Sequence, residues 1–221
     1  MGGGNEDPAM HYPHGRLLLF AKPALPGRVK TRLARRYGKR GAAQLYRMMV
    51  RETLEKLQGL APLELWCVPG GRDSFLRRCA RAHQARLATQ CGDDLGQRMH
   101  RAFAEALRSA SWALIVGGDC VSLRRADVDL ACASLEHGRD AVLGPAEDGG
   151  YVLLGLRRVE AGLFRAIPWG GPRVLATTRR RLAALGYHWA ELPLRWDADR
   201  PEDVRRWKLS RRSSRWCSGG S

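Results

Sequence analysis

The sequence predicts an α/β fold with a mostly parallel central sheet. Short apolar runs bounded by turn residues alternate with segments of helical spacing along most of the 221 residues. The runs are continuously apolar, which is typical of strands buried on both faces of a sheet. Apolar residues make up 44% of the chain, enough for one hydrophobic core, and no repeat indicates a solenoid or propeller. The alternation therefore favours a single α/β domain.

Seven runs are predicted to be strands, and five segments are predicted to be helices. The predicted strands are residues 16–21, 63–68, 85–89, 112–116, 140–143, 151–156 and 187–192. The predicted helices are residues 41–57, 74–82, 95–108, 125–135 and 173–185. A final helix is expected to open at Pro201, because proline is favoured in the first turn of a helix.

The two ends of the chain differ in composition from its centre. Gly, Asn, Pro and His mark residues 1–14, and Ser, Arg and Gly mark residues 210–221. Both segments are predicted to be disordered, which leaves residues 15–209 as the folded domain. No apolar run approaches the roughly 18–20 residues of a membrane span, and the six cysteines form no C-x-x-C pair. We therefore expect a cytoplasmic protein with free thiols and no membrane span.

The formal net charge of +16 predicts an anionic partner. Residues 16–60 hold 12 Lys and Arg against two acids, residues 173–221 hold 12 against five, and residues 61–172 hold 14 against 13. A nucleic-acid-binding module is one interpretation of this excess. However, the chain has no RNP-type aromatic motif, zinc finger or helix-turn-helix signature. We therefore favour a small anionic ligand over a specific nucleic acid.

Four cations follow the first predicted strand, namely Lys22, Arg28, Lys30 and Arg32, with no acid among them. In parallel α/β sheets this loop is the usual phosphate-binding loop. Two prolines and Gly27 fix its path, and a helix starting near Lys30 would add backbone N–H donors. The pattern predicts a bound di- or triphosphate; a solvated basic face is the alternative. Neither a Walker motif nor a G-x-G-x-x-G motif is present.

Acidic residues mark three further loops. Asp119 follows a buried strand and two glycines, where it could bind Mg²⁺ or Mn²⁺ together with nucleotide phosphates, or could cap the next helix. Asp197 and Asp199 could complete that metal site if their segment folds back beside Asp119, although capping would explain Asp199. Glu147 or Asp148 could bind an acceptor hydroxyl or act as a base, but a plain hairpin turn is the alternative.

Five segments of the chain resemble, in this order, the motifs of a known family. They are FAKPALPGRVKTRL (20–33), GDDLGQRM (92–99), VGGDC (116–120), GPAEDGGYVLLGL (144–156) and WDADRPED (196–203). The set is similar to that of the GT-A-like glycosyltransferases known as radical-SAM/selenodomain-associated transferases. These are relatives of cofactor nucleotidyltransferases such as phospholactate guanylyltransferase. The resemblance implies a nucleotide-diphospho-sugar transferase (GT-A, Rossmann-like) fold, an α/β/α sandwich around the sheet.

The resemblance also implies roles for particular residues. Lys22, Lys30 and Arg32 would contact phosphates, and Arg98 would lie near the site. Asp119 would bind the metal, with Asp199 or Asp197 in the second acidic place. Asp94, close to Arg98, has the alternative role of capping the helix that starts at Leu95.

The chain departs from the family pattern at two positions. Val121 stands where the family usually has a proline, and Arg200 stands where a threonine is usual. The loss of the proline puts the geometry of the loop beside Asp119 in doubt, so a degenerate, non-catalytic relative is one alternative.

Together these observations predict a metal-dependent transferase that uses a nucleotide sugar or an NTP. The preferred reaction is glycosyl transfer to a small acceptor, with Asp148 as base and the metal and Lys30 stabilising charge on the phosphates. The alternative is a guanylyltransferase-like nucleotidyl transfer to a phosphorylated or carboxylated small molecule.

Overall fold

A seven-stranded sheet forms the centre of the computed structural model, which describes residues 10–68 and 73–217, the last six of these by backbone alone. The strands are β1 (Gly15–Ala21), β2 (Leu63–Cys67), β3 (Arg86–Thr89), β4 (Trp112–Gly117), β5 (Ala141–Pro145), β6 (Tyr151–Leu156) and β7 (Trp189–Glu191). Their order in the sheet is β3-β2-β1-β4-β6-β5-β7. β6 is antiparallel to both of its neighbours, and every other pair is parallel.

The helices are α1 (Thr31–Leu57), α2 (Ser74–Ala82), α3 (Leu95–Ala106), α4 (Arg125–Glu136), α5 (Val174–Ala184) and α6 (Pro201–Cys217), with a short 3₁₀ helix at Ala161–Leu163. α1 is interrupted at Gly38, whose φ of 68° lies in the left-handed region. Glycine adopts this region without the steric cost that other residues incur. The predicted helix from residue 41 is therefore the second part of α1, and residues 31–37 form a separate first part.

The sheet is covered on both faces because side chains alternate along each strand. Leu17 and Leu19 of β1 belong to a buried cluster with residues of α1, α2 and α4. Leu18, between them, belongs to a second cluster with residues of α3 and α5. The predicted α/β/α sandwich is therefore confirmed. α6 packs on the first part of α1 and the start of its second part, through Trp207, which is 1% exposed.

The two chain ends are more ordered than expected where the structure describes them. The Tyr12 hydroxyl donates a hydrogen bond to Asp129 Oδ1 at 3.0 Å, and its backbone N–H bonds the Leu60 carbonyl at 2.7 Å. These bonds hold residues 10–14 on the fold. At the other end, residues 210–217 continue α6 instead of beginning a disordered tail. Residues 1–9 and 218–221, the remainder of the two segments predicted to be disordered, lie outside the described residues.

None of the helices in the described ranges has the length and apolar character that crossing a membrane requires. Cys67, Cys79, Cys120 and Cys132 are buried free thiols, and Cys91 is an exposed one.

Candidate active site

A cleft of about 650 Å³ opens at the carboxyl ends of the parallel strands. Residues at or just after the ends of β1, β2, β3 and β4 line it, as expected for the ligand crevice of a parallel α/β sheet. Its charged lining residues are the cations Lys22, Arg28, Lys30, Arg32 and Arg98 and the acids Asp119, Asp148 and Asp199. The structure therefore brings together most of the side chains that the sequence predicted for a single site.

Lys30 lies at the centre of this charge arrangement. Its Nζ is 2.8 Å from Asp119 Oδ2 and 2.6 Å from Asp199 Oδ1, and its side chain is only 5% exposed. Burial alone would lower the pKa of Lys30, but the attraction of the two carboxylates outweighs it and raises the pKa. Lys30 is therefore a permanently charged group held between two acids.

The backbone of the first loop is fixed by contacts with other parts of the fold. The Lys22 N–H donates to the Tyr46 hydroxyl of α1 at 2.8 Å, and the Ala24 N–H donates to Asp73 at 2.6 Å. Gly27 has a φ of 79°, which favours glycine at this turn. No acid occurs in the first turn of α1, which begins directly after Lys30. The loop therefore presents its cations and the start of a helix to the cleft.

Asp199 faces Lys30 because a different acid caps the final helix. The Asp203 carboxylate accepts the backbone N–H groups of Asp199 and Arg200 at 3.1 and 2.7 Å. Burial would raise the pKa of Asp199, but Lys30 and then Arg32 lower it further than burial raises it. The alternative in which Asp199 is only a cap is therefore wrong. Arg200, which stands where the family usually has threonine, bonds Asp203 through its backbone N–H, a bond that does not depend on its side chain.

Asp197 has a different environment from Asp199. Its Oδ1 is buried with no hydrogen-bond partner in the described part of the chain. Burial, and after it the charge of Asp119, raises the pKa of Asp197 to about 7. Asp197 lines a small cavity beside the cleft. The ion pairs of Lys30 are with Asp119 and Asp199 instead.

Ser122, which the sequence reasoning missed, joins the two acidic loops. Its Oγ donates to the Trp196 carbonyl and accepts the Trp196 N–H, both at 2.7 Å. Val121, in place of the usual proline, is buried in a cluster with Ala198 and Trp207. Packing thus anchors the loop at the position where proline rigidity is absent. The sequence alone does not indicate this role, because the hydrogen-bond partner of Ser122 lies 74 residues away along the chain.

The loop between β5 and β6 is a turn that also brings a carboxylate to the cleft. Asp148 Oδ1 accepts the Gly150 N–H at 2.9 Å, and Asp148 lines the cleft. Glu147 instead pairs with Arg206 of α6 at 3.0 Å. Of the two candidate bases, only Asp148 faces the site.

Two further side chains are placed by the loop before α3. Arg98 lines the cleft, and its Nε donates to the Gly92 carbonyl at 2.9 Å. Asp94 accepts the Gln97 N–H at 2.8 Å, so it caps α3 as the alternative interpretation held. Gln90, also missed, lines the cleft while its amide donates to the Trp66 carbonyl at 2.8 Å. Nothing in the sequence separates this glutamine from the others.

The comparison with protein families decides which family the chain is from. The family described as "Uncharacterized protein conserved in bacteria (DUF2064)" matches residues 53–171, more than half of the chain. The chain is a member of the DUF2064 family. No curated protein sequence matches this DUF2064 protein.

Solved structures share the fold of this DUF2064 protein. A protein from Desulfovibrio desulfuricans G20, provisionally named a nucleotide-diphospho-sugar transferase, is 33% identical, with a TM-score of 0.78 over 85% of this chain and 83% of that one. CMP:2-keto-3-deoxy-manno-octonic acid synthetase, solved with CTP, is 13% identical, with a TM-score of 0.57 over 90% of this chain and 99% of that one. Glucosyl-3-phosphoglycerate synthase from Mycobacterium tuberculosis, solved with Mn²⁺, UDP and glucosyl-3-phosphoglycerate, is 14% identical, with a TM-score of 0.53 over 88% and 75%.

These comparisons confirm the predicted nucleotide-diphospho-sugar transferase fold of GT-A type. The relative from D. desulfuricans also agrees with the predicted enzyme class, a transferase. The two more distant structures show likeness of fold alone. The finer resemblance to selenodomain-associated transferases and to phospholactate guanylyltransferase stays a prediction.

The acids of the DUF2064 site fit a divalent cation that is bound mainly by its substrate. Asp119 and Asp199 already converge on one cation, the ammonium of Lys30. Among the described residues, no group of three or more His, Cys, Asp or Glu side chains is placed to hold a metal. Carboxylate oxygens suit Mg²⁺ and Mn²⁺, and Mg²⁺ is often bound by one or two carboxylates plus substrate phosphates. The donor set therefore fits such an ion with two protein ligands.

Proposed function

We propose that this DUF2064 protein is a divalent-metal-dependent transferase that uses a nucleotide sugar or an NTP and transfers a glycosyl group to a small acceptor. The observation that carries the proposal is the placement of Lys30 between Asp119 and Asp199 in a cleft lined by four further cations. A cluster of cations at a strand-end crevice is suited to phosphates.

The phosphate groups are assigned to the basic half of the cleft. Lys22, Arg28, Arg32 and Arg98 supply charge at its surface, and Lys30 supplies a buried charge with Gly27 shaping the loop. Hydrogen bonds from charged donors to phosphate oxygens are about twice as strong as neutral ones. Because Lys30 is already paired with two acids, the charge that could balance a nucleoside diphosphate or triphosphate comes mainly from the other four cations.

The metal, Mg²⁺ or Mn²⁺, is assigned to Asp119 and Asp199. When bound, the ion would neutralise negative charge on the phosphate oxygens. Asp197, the third acid predicted for the metal, is left out of this pair because it lines the small cavity beside the cleft.

In the transfer step, Asp148 is assigned the role of base and Lys30 the role of stabilising the leaving phosphate. The Asp148 carboxylate accepts the proton of the acceptor hydroxyl while the acceptor oxygen forms its bond to the anomeric carbon. The bond from that carbon to the nucleotide phosphate breaks, and its electron pair leaves with the nucleoside diphosphate. Lys30 stabilises the charge that develops on the leaving phosphate.

Nucleotidyl transfer is the second candidate, because the same fold occurs in a synthetase solved with CTP. The two reactions release different products from a mixture of nucleotide and acceptor. Glycosyl transfer releases a nucleoside diphosphate, and nucleotidyl transfer releases pyrophosphate. Chromatography of reactions with UDP-, GDP- and dTDP-sugars and the four NTPs therefore tests the proposal, with glycosyl transfer predicting a nucleoside diphosphate.

A pair of adjacent variants makes this assay specific for the proposed base. Asp148→Asn is expected to lower kcat by about 10²–10⁴. Glu147→Gln, one residue earlier but paired with Arg206, is expected to keep kcat near the wild-type value. Equal turnover in the two variants would reject Asp148 as the base.

A further inference from the structure

A second, smaller cavity lies beside the cleft and shares three wall residues with it, Leu95, Asp148 and Gly170. We call this cavity the inner pocket. Its volume is about 170 Å³, several times the roughly 30 Å³ that one water occupies in the liquid. Tyr151, Trp169 and Asp197 are among its other lining residues. The inner pocket therefore adjoins the place where Asp148 meets the cleft.

Two glycines allow the segments around the inner pocket to pack closely against each other. Gly149 has a φ of 83°, and a Cβ there would lie 2.1 Å from the Pro172 carbonyl oxygen. The Leu175 N–H donates to the Gly149 carbonyl at 2.9 Å. A Cβ at Gly96 would lie 2.7 Å from Nε1 of the Trp169 indole. The loop that carries Trp169 is thus docked on the turn that carries Asp148 and on α3.

The inner pocket and the cleft differ in the sign of their charge. Five Lys and Arg residues line the cleft. The described residues that line the inner pocket include two carboxylates, Asp148 and Asp197, and no Lys, Arg or His. Two aromatic rings form another wall, with Tyr151 and Trp169 edge to face at 6.5 Å between ring centres. A phosphate or carboxylate group would find no cation among these lining residues, whereas a neutral group needs none.

Two residues that line the inner pocket, Asp197 and Trp169, each carry a buried polar atom that has no hydrogen-bond partner within the described ranges. They are Asp197 Oδ1, an acceptor when ionised, and Trp169 Nε1–H, a donor. Buried polar groups in proteins are almost always bonded, so each of these two atoms calls for a partner. A hydroxyl group both donates and accepts, and a sugar ring adds C–H faces that can pack on aromatic side chains.

We infer that the inner pocket binds a neutral, polyhydroxylated group of about monosaccharide size and excludes phosphorylated or carboxylated ones. The inference rests on the proposed function, which places the nucleotide phosphates in the adjoining cleft. It favours glycosyl transfer over nucleotidyl transfer to an acidic acceptor. The sugar could belong to the nucleotide sugar or to the acceptor, and the chemistry of the walls is the same for both.

The test compares matched ligands by calorimetry and by saturation-transfer NMR. The first set of probes compares UDP with UDP-glucose and GDP with GDP-mannose, all with Mg²⁺. The second set compares the neutral polyols glucose and glycerol with the acids glycerate and 3-phosphoglycerate, each with and without the nucleoside diphosphate. If the donor supplies the sugar, one nucleotide sugar binds at least tenfold more tightly than its diphosphate. If the acceptor supplies it, a free neutral polyol binds and the matched acids do not.

Two variants locate that binding in the inner pocket. Trp169→Phe removes the indole N–H and is expected to reduce the preference for the neutral sugar about fivefold to tenfold. Trp189→Phe, whose indole bonds Glu191 at the edge of the sheet, is the matched control and should keep the preference. Leu95→Lys adds a cation at the wall shared with the cleft, where the side chain is 42% exposed and folding should tolerate it. It is expected to let 3-phosphoglycerate bind.

The outcomes separate this inference from the proposed function. Nucleoside diphosphates that bind with no preference for any sugar, and acids that bind as well as polyols, would overturn the inference alone. A wild-type preference that is unchanged in both Trp169→Phe and Leu95→Lys would also overturn it. If no nucleotide binds, the proposed function is contradicted. If the free polyols also do not bind, both the proposed function and the inference about the inner pocket are overturned.

Discussion

At the residue scale, Lys30 combines an unusual backbone with a buried charge. Its φ of 46° lies in the left-handed region, which costs a residue with a Cβ about 1–2 kcal/mol. The two ion pairs of its ammonium with Asp119 and Asp199 offset this cost. A strained residue that persists at the edge of a cleft is typical of a functional position.

Replacement of Lys30 is therefore expected to affect catalysis more than folding. Lys30→Met is expected to lower kcat by about 10²–10³, the loss found when one preorganised donor to a developing anion is removed. Steady-state kinetics with the nucleotide found to bind measures this loss. Lys39→Met removes an exposed cation of the same basic segment and should stay within about twofold of wild type. Similar losses in both variants would mean that only the general positive charge matters.

The cations of the first loop and Asp119 could be predicted from the sequence because they follow strand ends with glycine or proline beside them, and Asp199 because it lies in an acidic segment before Pro201. The pairing of Lys30 with two acids could not, since Asp199 is 169 residues away and meets it only in the folded chain. Nor could the environment of Trp169 be predicted, because its indole N–H is left without a partner among the described residues only once the loop is docked.

At the scale of the elements, Ser122 holds the loop after β4 against the segment before α6. Its two hydrogen bonds to Trp196 fix the distance between the loops that carry Asp119 and Asp199. Ser122→Ala is expected to destabilise the fold by about 1–3 kcal/mol, since two backbone groups lose their partner. It is also expected to weaken metal-dependent nucleotide binding.

Denaturant unfolding and calorimetry of the same samples measure the two effects of Ser122→Ala. Ser134→Ala, which removes an exposed hydroxyl bonded within α4, is the control for loss of a serine. Lower stability with unchanged nucleotide binding in Ser122→Ala would show that the bond serves folding alone.

The ion pair between Asp127 and Arg195 gives the fold a pH dependence. Arg195 Nε donates to Asp127 Oδ2 at 2.7 Å, which joins the start of α4 to the segment leading to Asp197. Burial would raise the pKa of Asp127, but the bonds from Arg195 and the backbone lower it overall. A lowered pKa means that the pair stabilises the fold above the unfolded pKa of about 3.9 and loses this effect as the pH falls further.

Asp127→Asn is therefore expected to destabilise the protein at pH 7 by about 1–3 kcal/mol and by much less near pH 3. Urea unfolding of wild type and variant at both pH values measures the difference. Glu202→Gln, on the exposed first turn of α6, serves as the control carboxylate. A deficit for Asp127→Asn that is as large at pH 3 as at pH 7 would contradict a lowered pKa for Asp127 in the folded protein.

The central strands were predictable because their apolar runs are buried on both faces, as in β2, where all five residues are buried, whereas β3 and β7 at the edges of the sheet are not fully buried. The antiparallel direction of β6 was not, because a strand covered on both faces reads the same in either direction. A helix start near Lys30 was expected, but the apolar spacing predicted a helix only from residue 41, because Gly38 interrupts the helical pattern between the two parts of α1.

At the scale of the whole molecule, the positive charge extends beyond the cleft. Residues 28–40 contain seven Lys and Arg and no acid. Three of these, Arg28, Lys30 and Arg32, line the cleft. The remaining exposed cations predict weak, salt-sensitive binding to polyanions without sequence preference.

Salt dependence is expected to separate the two kinds of binding. Affinity for duplex DNA should fall about 10³-fold or more between 50 and 200 mM salt if six or more phosphates are contacted. Affinity for the metal–nucleotide should fall less than about tenfold, because the buried Lys30 is poorly screened. Fluorescence anisotropy with labelled DNA and calorimetry with nucleotide measure both. DNA binding that survives 200 mM salt with a sequence preference would revive the nucleic-acid interpretation.

The central claim is that a nucleotide and a divalent metal bind between the cations of the first loop and the pair Asp119 and Asp199. One titration tests this claim most directly. UDP-, GDP- and dTDP-sugars and the four NTPs are titrated into the wild-type protein and Asp119→Asn, with Mg²⁺ and with EDTA. We predict that at least one ligand binds the wild type at least tenfold more weakly in EDTA, and that Asp119→Asn with Mg²⁺ binds like the wild type in EDTA. Full metal-dependent affinity in Asp119→Asn would contradict the account.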